Sequence, residues 1–365
     1  AQVFYARQSQ GIQIDEGKLG ELIEKASADK YRAYNRIADA TGVSPSGLNH
    51  RNVGPLLPST DAAHLEPFVK APNFLEYLRL AAENSNFARD LLTLVRAERD
   101  LKALARLRGS EGQIVKPEFQ IMGTVTGRIL VANPHLQQVR REYRRAIAPD
   151  EGKRLAYLDY AQFEPGILAA LAEDEELIAR YNQGDIYQQL SKSIFGTEQS
   201  RDLAKKMFLA FSYGMSSDRI VDLVGGTDQA AHLTAFDTFV AKFDKLAQFR
   251  IQSEADLQQR GFVETLFGNK RYRSGTGALT ASDRRWAVSQ RVQGTAALIF
   301  KEALLQIVAE FGPEGVMLPM HDAVLISLPH ESYANDVSRI QDIMLSALKN
   351  RCPQIEGRVV AHENF

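Results

Sequence analysis

The stretch YLDYAQFEPGILAALAED, Tyr157–Asp174, changes its period within a few residues. It begins as an apolar, strand-like run that closes on Asp159 and Tyr160, and a helical pattern follows almost at once. A second stretch, GVMLPMHDAVLISLP, reads as two short apolar runs joined at His321–Asp322. That is a hairpin signal, although His-Asp is not the usual turn chemistry. A chain that contains both must combine a sheet with helices, and each apolar strand carries an aspartate at its edge. Singly, each aspartate also reads as a turn or cap residue. Together they pose a problem, because paired carboxylates in apolar surroundings repel and are costly to keep charged. A divalent cation removes both difficulties, and hard oxygen ligands suit Mg²⁺.

The rest of the chain is mostly helical in pattern. Apolar residues recur at three and four from Gly17 to Thr41, with Gly42 as a stop, and again over roughly Phe74 to Leu107, with Gly109 as a stop. The first residues read as an extended entry with a turn at Gly11, and 43–60 as a loop rich in Gly, Pro, Ser and Asn. From Gly112 the texture turns β-like. Helices dominate again from Ile167 to about Arg260, with breaks at Gly184, Gly196 and Gly225–Gly226, and a last long helix fits Thr295–Phe311.

Composition bounds the function classes. The 365 residues suffice for more than one lobe. A net charge of −1 gives no global field for a polyanion, so any nucleic-acid site must be a local basic patch. Three such patches occur: VRREYRR, GNKRYR and DRRWAVSQR, with Tyr and Trp interleaved. They suit a phosphate backbone track or ordinary surface ion pairs equally well. The single cysteine, Cys352, excludes a disulfide framework and fits a reducing, cytoplasmic setting. No apolar run approaches about 20 residues, so no membrane span is expected.

In SRDLAKKMFLAFSYGMS, Arg201, Lys205, Leu209 and Tyr213 lie four apart and form one slowly winding helical stripe. Arg201 and Lys205 would sit about 6 Å apart along the axis, at ~1.5 Å per residue. They suit neighbouring phosphates or a solvated cationic face.

Taken in chain order, these motifs resemble family A DNA polymerases of the bacterial polymerase I type. DYAQFE, Asp159–Glu164, is similar to the palm motif D-Y-S-Q-x-E; Arg201, Lys205, Leu209, Tyr213 and Gly214 to the finger-helix motif; His321-Asp322-Ala323 to the H-D-E motif. GIQIDEGKL, TGRILVANPHLQ, GFVETLFGNKRY and VQGTAA also match, so the resemblance covers nearly the whole chain.

The resemblance implies an α+β right hand with an antiparallel palm sheet, helical fingers and a helical thumb. The expected division is an N-terminal segment and thumb over 1–112, palm over 113–172, fingers over 173–289 and palm again over 290–365. It implies Asp159, Asp322 and the Tyr160 carbonyl as ligands of two Mg²⁺ ions, with Mn²⁺ able to substitute. Arg201 and Lys205 would grip an incoming deoxynucleoside triphosphate, and Lys205 would help protonate the leaving group. Leu209, Gln162 and Tyr187 would border the nucleotide, Tyr213 would stack near the templating position, and Glu164 would be a steric gate against a ribose 2′-hydroxyl. Arg128, Gln137, Arg285, Gln293 and His321 would feel the primer–template duplex.

The departures from the family pattern are Leu209 for phenylalanine, Ala323 for a third carboxylate, Tyr187 for a histidine, Gly166 for an arginine, Ala161 for a serine and His135 for asparagine. The expectation is a template-directed DNA polymerase without a proofreading exonuclease in this chain. It would be a monomer, a segment of a larger protein, in a bacterial or viral replication or repair setting. A catalytically silent primer–template-binding homologue is the rival reading. An RNA-synthesising enzyme of the related single-subunit type is a third, which Glu164 opposes.

Overall fold

The computed structural model describes residues 2–42, 44, 74–82, 85–108, 113–221 and 229–362. Their contacts divide into two compact units. One is built from the residues up to Ser9, from Phe119–Val131 and from Pro149 onward; the other is built from Gln10–Glu118 and Ala132–Ala148. Residues 132–148, expected with 113–172, thus group with the N-terminal helices.

The first unit is organised on a four-stranded antiparallel sheet. Its order is Val359–His362, Lys153–Tyr160, Ala323–Pro329, Val316–Met320. Side chains alternate across a strand. Ala156, Leu158 and Tyr160 therefore join Val324, Ile326 and Leu328 on the face that packs into the main helical core. Tyr157 and Asp159 point to the opposite face, which they share with their ladder partners Leu325 and Ala323. The Ala323–Pro329 strand is buried along nearly its whole length, which is why its sequence reads as an apolar run with no polar alternation.

Helices Phe163–Ala172, Asp244–Arg260, Ala281–Phe311 and Tyr333–Arg351 supply much of that core. The Ala281–Phe311 helix starts 14 residues before the expected Thr295. Thr280 and Asp283 form a reciprocal capping box there, which satisfies the first free N–H groups of the helix. By length and composition this helix could cross a membrane, contrary to the expectation that no such run exists. Over half of its most apolar window is buried inside the protein, and its residues Val292, Ala296, Ile299 and Phe300 belong to the core.

Gln2–Gln10 is a helix, not the extended entry expected from the sequence. Its amphipathic signal is weak, and distant partners hold it. Phe4 stacks on Phe119 with ring centroids 4.5 Å apart, and Arg7 forms a two-pronged pair with Asp150 at 2.9 and 3.0 Å while donating to the Glu314 carbonyl.

In the second unit, Glu16–Thr41 runs from an Asp15 cap, whose carboxylate accepts from Lys18 N, to Gly42 in the left-handed region. The single helical block expected over Phe74–Leu107 is two helices, Phe74–Ala81 and Asn86–Ala105. Ser85 starts the second by accepting from Ala88 N. Buried Asp100 takes hydrogen bonds from Arg140 and Tyr143, which absorbs part of the VRREYRR patch into the unit's own structure. The loop expected at 43–60 falls almost wholly outside the described residues, as do the stops at Gly109 and Gly225–Gly226.

Candidate active site

Asp159 is the second-last residue of its strand and pairs with Ala323 across the ladder. Asp322 precedes Ala323 in the hairpin turn, and Tyr160 N donates to the Asp322 carbonyl at 3.5 Å. The register therefore sets Asp159, on its strand, beside the turn residue Asp322, 163 positions away in the sequence. Gln162, three residues after Asp159, and His321, immediately before Asp322, have left-handed backbone, at φ 53° and 63°. Neither is glycine, and such geometry costs of order 1–3 kcal/mol and gathers at functional sites. Gln162 is held in it by its side-chain oxygen, which accepts from Ile186 N at 2.9 Å.

The electrostatics of Asp322 are unusual for a turn residue. One carboxylate oxygen, Oδ1, is buried without a hydrogen-bond partner, and the nearest cation, Arg128 Nη2, lies 3.9 Å away. Burial pushes the carboxyl up to about 6; Arg128 opposes this, and the negative charges of Glu164 and Asp159 reinforce it. Burial of Arg128 works against its charge as well, but Asp322 and Glu164 outweigh it and hold the guanidinium protonated. Tyr160 turns its ring away into the core, stacked 4.0 Å from Phe163, and donates its hydroxyl to the Met344 carbonyl at 2.6 Å.

Glu164 is the meeting point of three other residues singled out in the sequence. Its carboxylate accepts from Arg128, from the Tyr213 hydroxyl and, at 3.5 Å, from Gln293. Burial, followed by the charge of Glu164, drives the Tyr213 hydroxyl strongly upward, so it stays a donor.

The stripe expected on one helix occupies Arg201–Ser212, with Tyr213 as the first residue beyond it. Lys205 is exposed and Leu209 half-buried. Arg201 and Lys205 both lie by the Tyr187 ring, at 5.3 and 5.9 Å from its centroid. Tyr187 itself is only 3% exposed, and it offers these two cations its ring. Arg285 is exposed, with its stem beside Gly214. His321 is exposed at the hairpin tip. Gln137 is buried in the other unit. Sequence reasoning missed Asp185, whose carboxylate binds Arg201; a lone aspartate ahead of a helix reads only as a cap.

Among the described residues no group of three or more His, Cys, Asp or Glu side chains could hold a metal. Two carboxylates and a backbone carbonyl are nonetheless a set of hard oxygen donors of the kind Mg²⁺ takes, since that ion keeps several waters. The buried, unpartnered Asp322 Oδ1 fits such an ion, because a cation would relieve the strain that raises its carboxyl.

The family model for DNA polymerase family A matches residues 46–359. This chain belongs to DNA polymerase family A. Relatives of this family A chain include the DNA polymerase I of Chloroflexus aurantiacus, 29% identical over 65% of the chain and 27% of the relative. The thermostable DNA polymerase I of Thermus aquaticus is 31% identical over 68% of the chain and 32% of the relative. The chain thus spans under a third of the length of these relatives. Among solved structures, the polymerase domain of Pol1 from M. smegmatis, in complex with DNA primer-template and dNTP, superposes with a TM-score of 0.82. That match covers 100% of this chain and 69% of the other at 20% identity, a likeness of fold.

Proposed function

We propose that this chain is a template-directed DNA polymerase that adds deoxynucleotides to a primer 3′ end. The sheet and its surrounding helices would be the palm, the helices from about Glu173 to Ser289 the fingers, and the N-terminal helices the thumb. The observation that carries the reading is the register of Asp159 with Ala323, which sets Asp159 beside the turn residue Asp322, whose buried Oδ1 has no hydrogen-bond partner and lies 3.9 Å from Arg128. Primer–template DNA and deoxynucleoside triphosphates are the proposed partners, the ligands named for the M. smegmatis domain.

Asp159, Asp322 and the Tyr160 carbonyl would hold two divalent ions, Mg²⁺ or Mn²⁺. When bound, such ions supply Lewis acidity toward the attacking hydroxyl and the departing pyrophosphate. The chain's own residues do the positioning. Arg201 and Lys205 offer adjacent cations to the triphosphate, and exposed Lys205 is free to pass a proton to the leaving group. Glu164, held by Arg128 and Tyr213, presents a stiff wall where a 2′-hydroxyl would intrude. Leu209 gives the base and sugar an aliphatic surface that is smaller than an aromatic ring.

Primer extension with Mg²⁺ and all four deoxynucleotides tests this. The wild-type chain should extend the primer, and Asp322→Asn or Asp159→Asn should lower the rate by roughly 10²–10³-fold. DNA binding with no extension by the wild type would favour the silent homologue. Ribonucleotide incorporation as fast as deoxynucleotide incorporation would overturn the role given to Glu164.

A further inference from the structure

We propose that Asp185 is a positioning residue that seats Arg201 for the triphosphate of the incoming nucleotide. This rests on the polymerase reading above. Asp185 lies between helices Glu175–Gln183 and Ile186–Phe195, and its two carboxylate oxygens do different work. Oδ1 caps the second helix, accepting from Tyr187 N at 2.8 Å and Gln188 N at 3.1 Å. Oδ2 accepts from Arg201 Nε at 2.8 Å and meets Nη2 at 2.7 Å.

A guanidinium has five N–H donors in a rigid plane. Asp185 takes the Nε–H and one Nη2 proton, which fixes one edge. The Tyr187 ring, 5.3 Å from the guanidinium carbon, covers one face. The Nη1 pair and the second Nη2 proton remain on the opposite edge. Among the described residues the carboxylate paired with Nη1 is Asp202, at 3.8 Å and 94% exposed, a weak and solvent-screened partner. Arg201 is itself about one-third exposed, so this edge faces water. The arginine is therefore held by edge and face while its unused donors stay open to an anion, the pre-organised fork that suits phosphate.

A nearby carboxylate also repels a triphosphate, and the two effects oppose each other. Here orientation wins, because the Asp185 charge is already spread over two backbone N–H groups and the guanidinium. The Asp185 side chain is only 19% exposed. Removing the anchor frees a long side chain whose ordering the nucleotide must then provide.

Asp185→Asn separates the two jobs. Asparagine caps a helix as well as aspartate does, but it cannot offer the charged oxygen that holds two guanidinium donors. The expected result is a rise of roughly tenfold in KM for the nucleotide, or 1.4 kcal/mol. kcat should change by less than about twofold, and the melting temperature should stay the same. In an Arg201→Lys background, where the fork no longer exists, the same substitution should change KM less than about twofold. An unchanged or lowered KM, an equal rise in both backgrounds, or a loss confined to kcat would overturn the proposal. Triphosphate affinity on a dideoxy-terminated primer gives a readout that needs no chemistry. If the wild type binds there without extending ordinary primers, the polymerase reading fails. The dependence of that affinity on Asp185 still decides this one.

Discussion

The Tyr213 hydroxyl donates to Glu164, joining the residue just past the Arg201–Ser212 helix to the opening turn of the helix that follows the first aspartate. Arg128 and Gln293 complete the clasp on the same carboxylate. A hydrogen bond to a charged group contributes about 1.5–3 kcal/mol. Tyr213→Phe should therefore let Glu164 swing. The ratio of ribonucleotide to deoxynucleotide kcat/KM should rise by about tenfold or more, with a smaller fall in deoxynucleotide use. Single-nucleotide insertion kinetics check this, and an unchanged ratio would remove Tyr213 from sugar discrimination.

Asp322 should weaken the metal-free protein. Its folded carboxyl titrates near 6 and its unfolded carboxyl near 3.8, so the native state holds its proton more tightly. The penalty is nil below the unfolded value, grows as pH rises between the two and is complete above about 6, at roughly 3 kcal/mol. Asp322→Asn should raise the melting temperature of chelator-treated protein at pH 8, with the gain vanishing near pH 4. Added Mg²⁺ should raise the melting temperature of the wild type and leave the variant unmoved. Thermal scans across pH, with and without the ion, test both statements.

Arg7 and Asp150 give the opposite pH sign. Burial alone would raise the Asp150 carboxyl, but the hydrogen bonds and charge of Arg7, with Lys153 and Ser327, more than offset it and leave it lowered. Stability from this group is present above the unfolded carboxylate range and lost as pH falls through the lowered folded value. Arg7→Met strands a half-buried carboxylate and a carbonyl, and should cost about 2–4 kcal/mol at pH 7, less in acid. Urea unfolding at pH 7 and below pH 4 measures it.

Gly166 stands where the family pattern has arginine, and the reason is steric. A Cβ there would lie 2.7 Å from the Tyr181 ring, which is fully buried and donates its hydroxyl to the Ala161 carbonyl. Gly166→Ala should destabilise by about 1–3 kcal/mol. Combined with Tyr181→Leu, the loss should be less than the sum of the two single losses, because they share one space. A strictly additive pair would mean that the contact is not the cause.

The sheet and its two aspartates were legible because they depend on local pattern: apolar runs, a period switch after Tyr160 and a turn at His321–Asp322. Gly42 likewise announces the end of its helix, whereas the Asp15 cap at the other end went unread. The Gln2–Gln10 helix was not legible, since what holds it is a pair 143 positions away in the chain. The clasp on Glu164 draws on residues 36, 49 and 129 positions off, and no window of sequence carries such a relation. Family resemblance named those residues but not the bonds among them. The break before Asn86 turned on one serine inside a continuous helical period.

The pairing of Asp159 with Ala323 carries a restriction on length. Side chains on a strand change face with every residue, so one amino acid inserted into Lys153–Tyr160 would send the carboxylate toward Leu158's neighbours and leave an apolar group in its place. Insertions elsewhere on the surface can be absorbed by a loop. On the polymerase reading, a change of a single residue in the length of the Lys153–Tyr160 strand would disarm the protein without touching either acid.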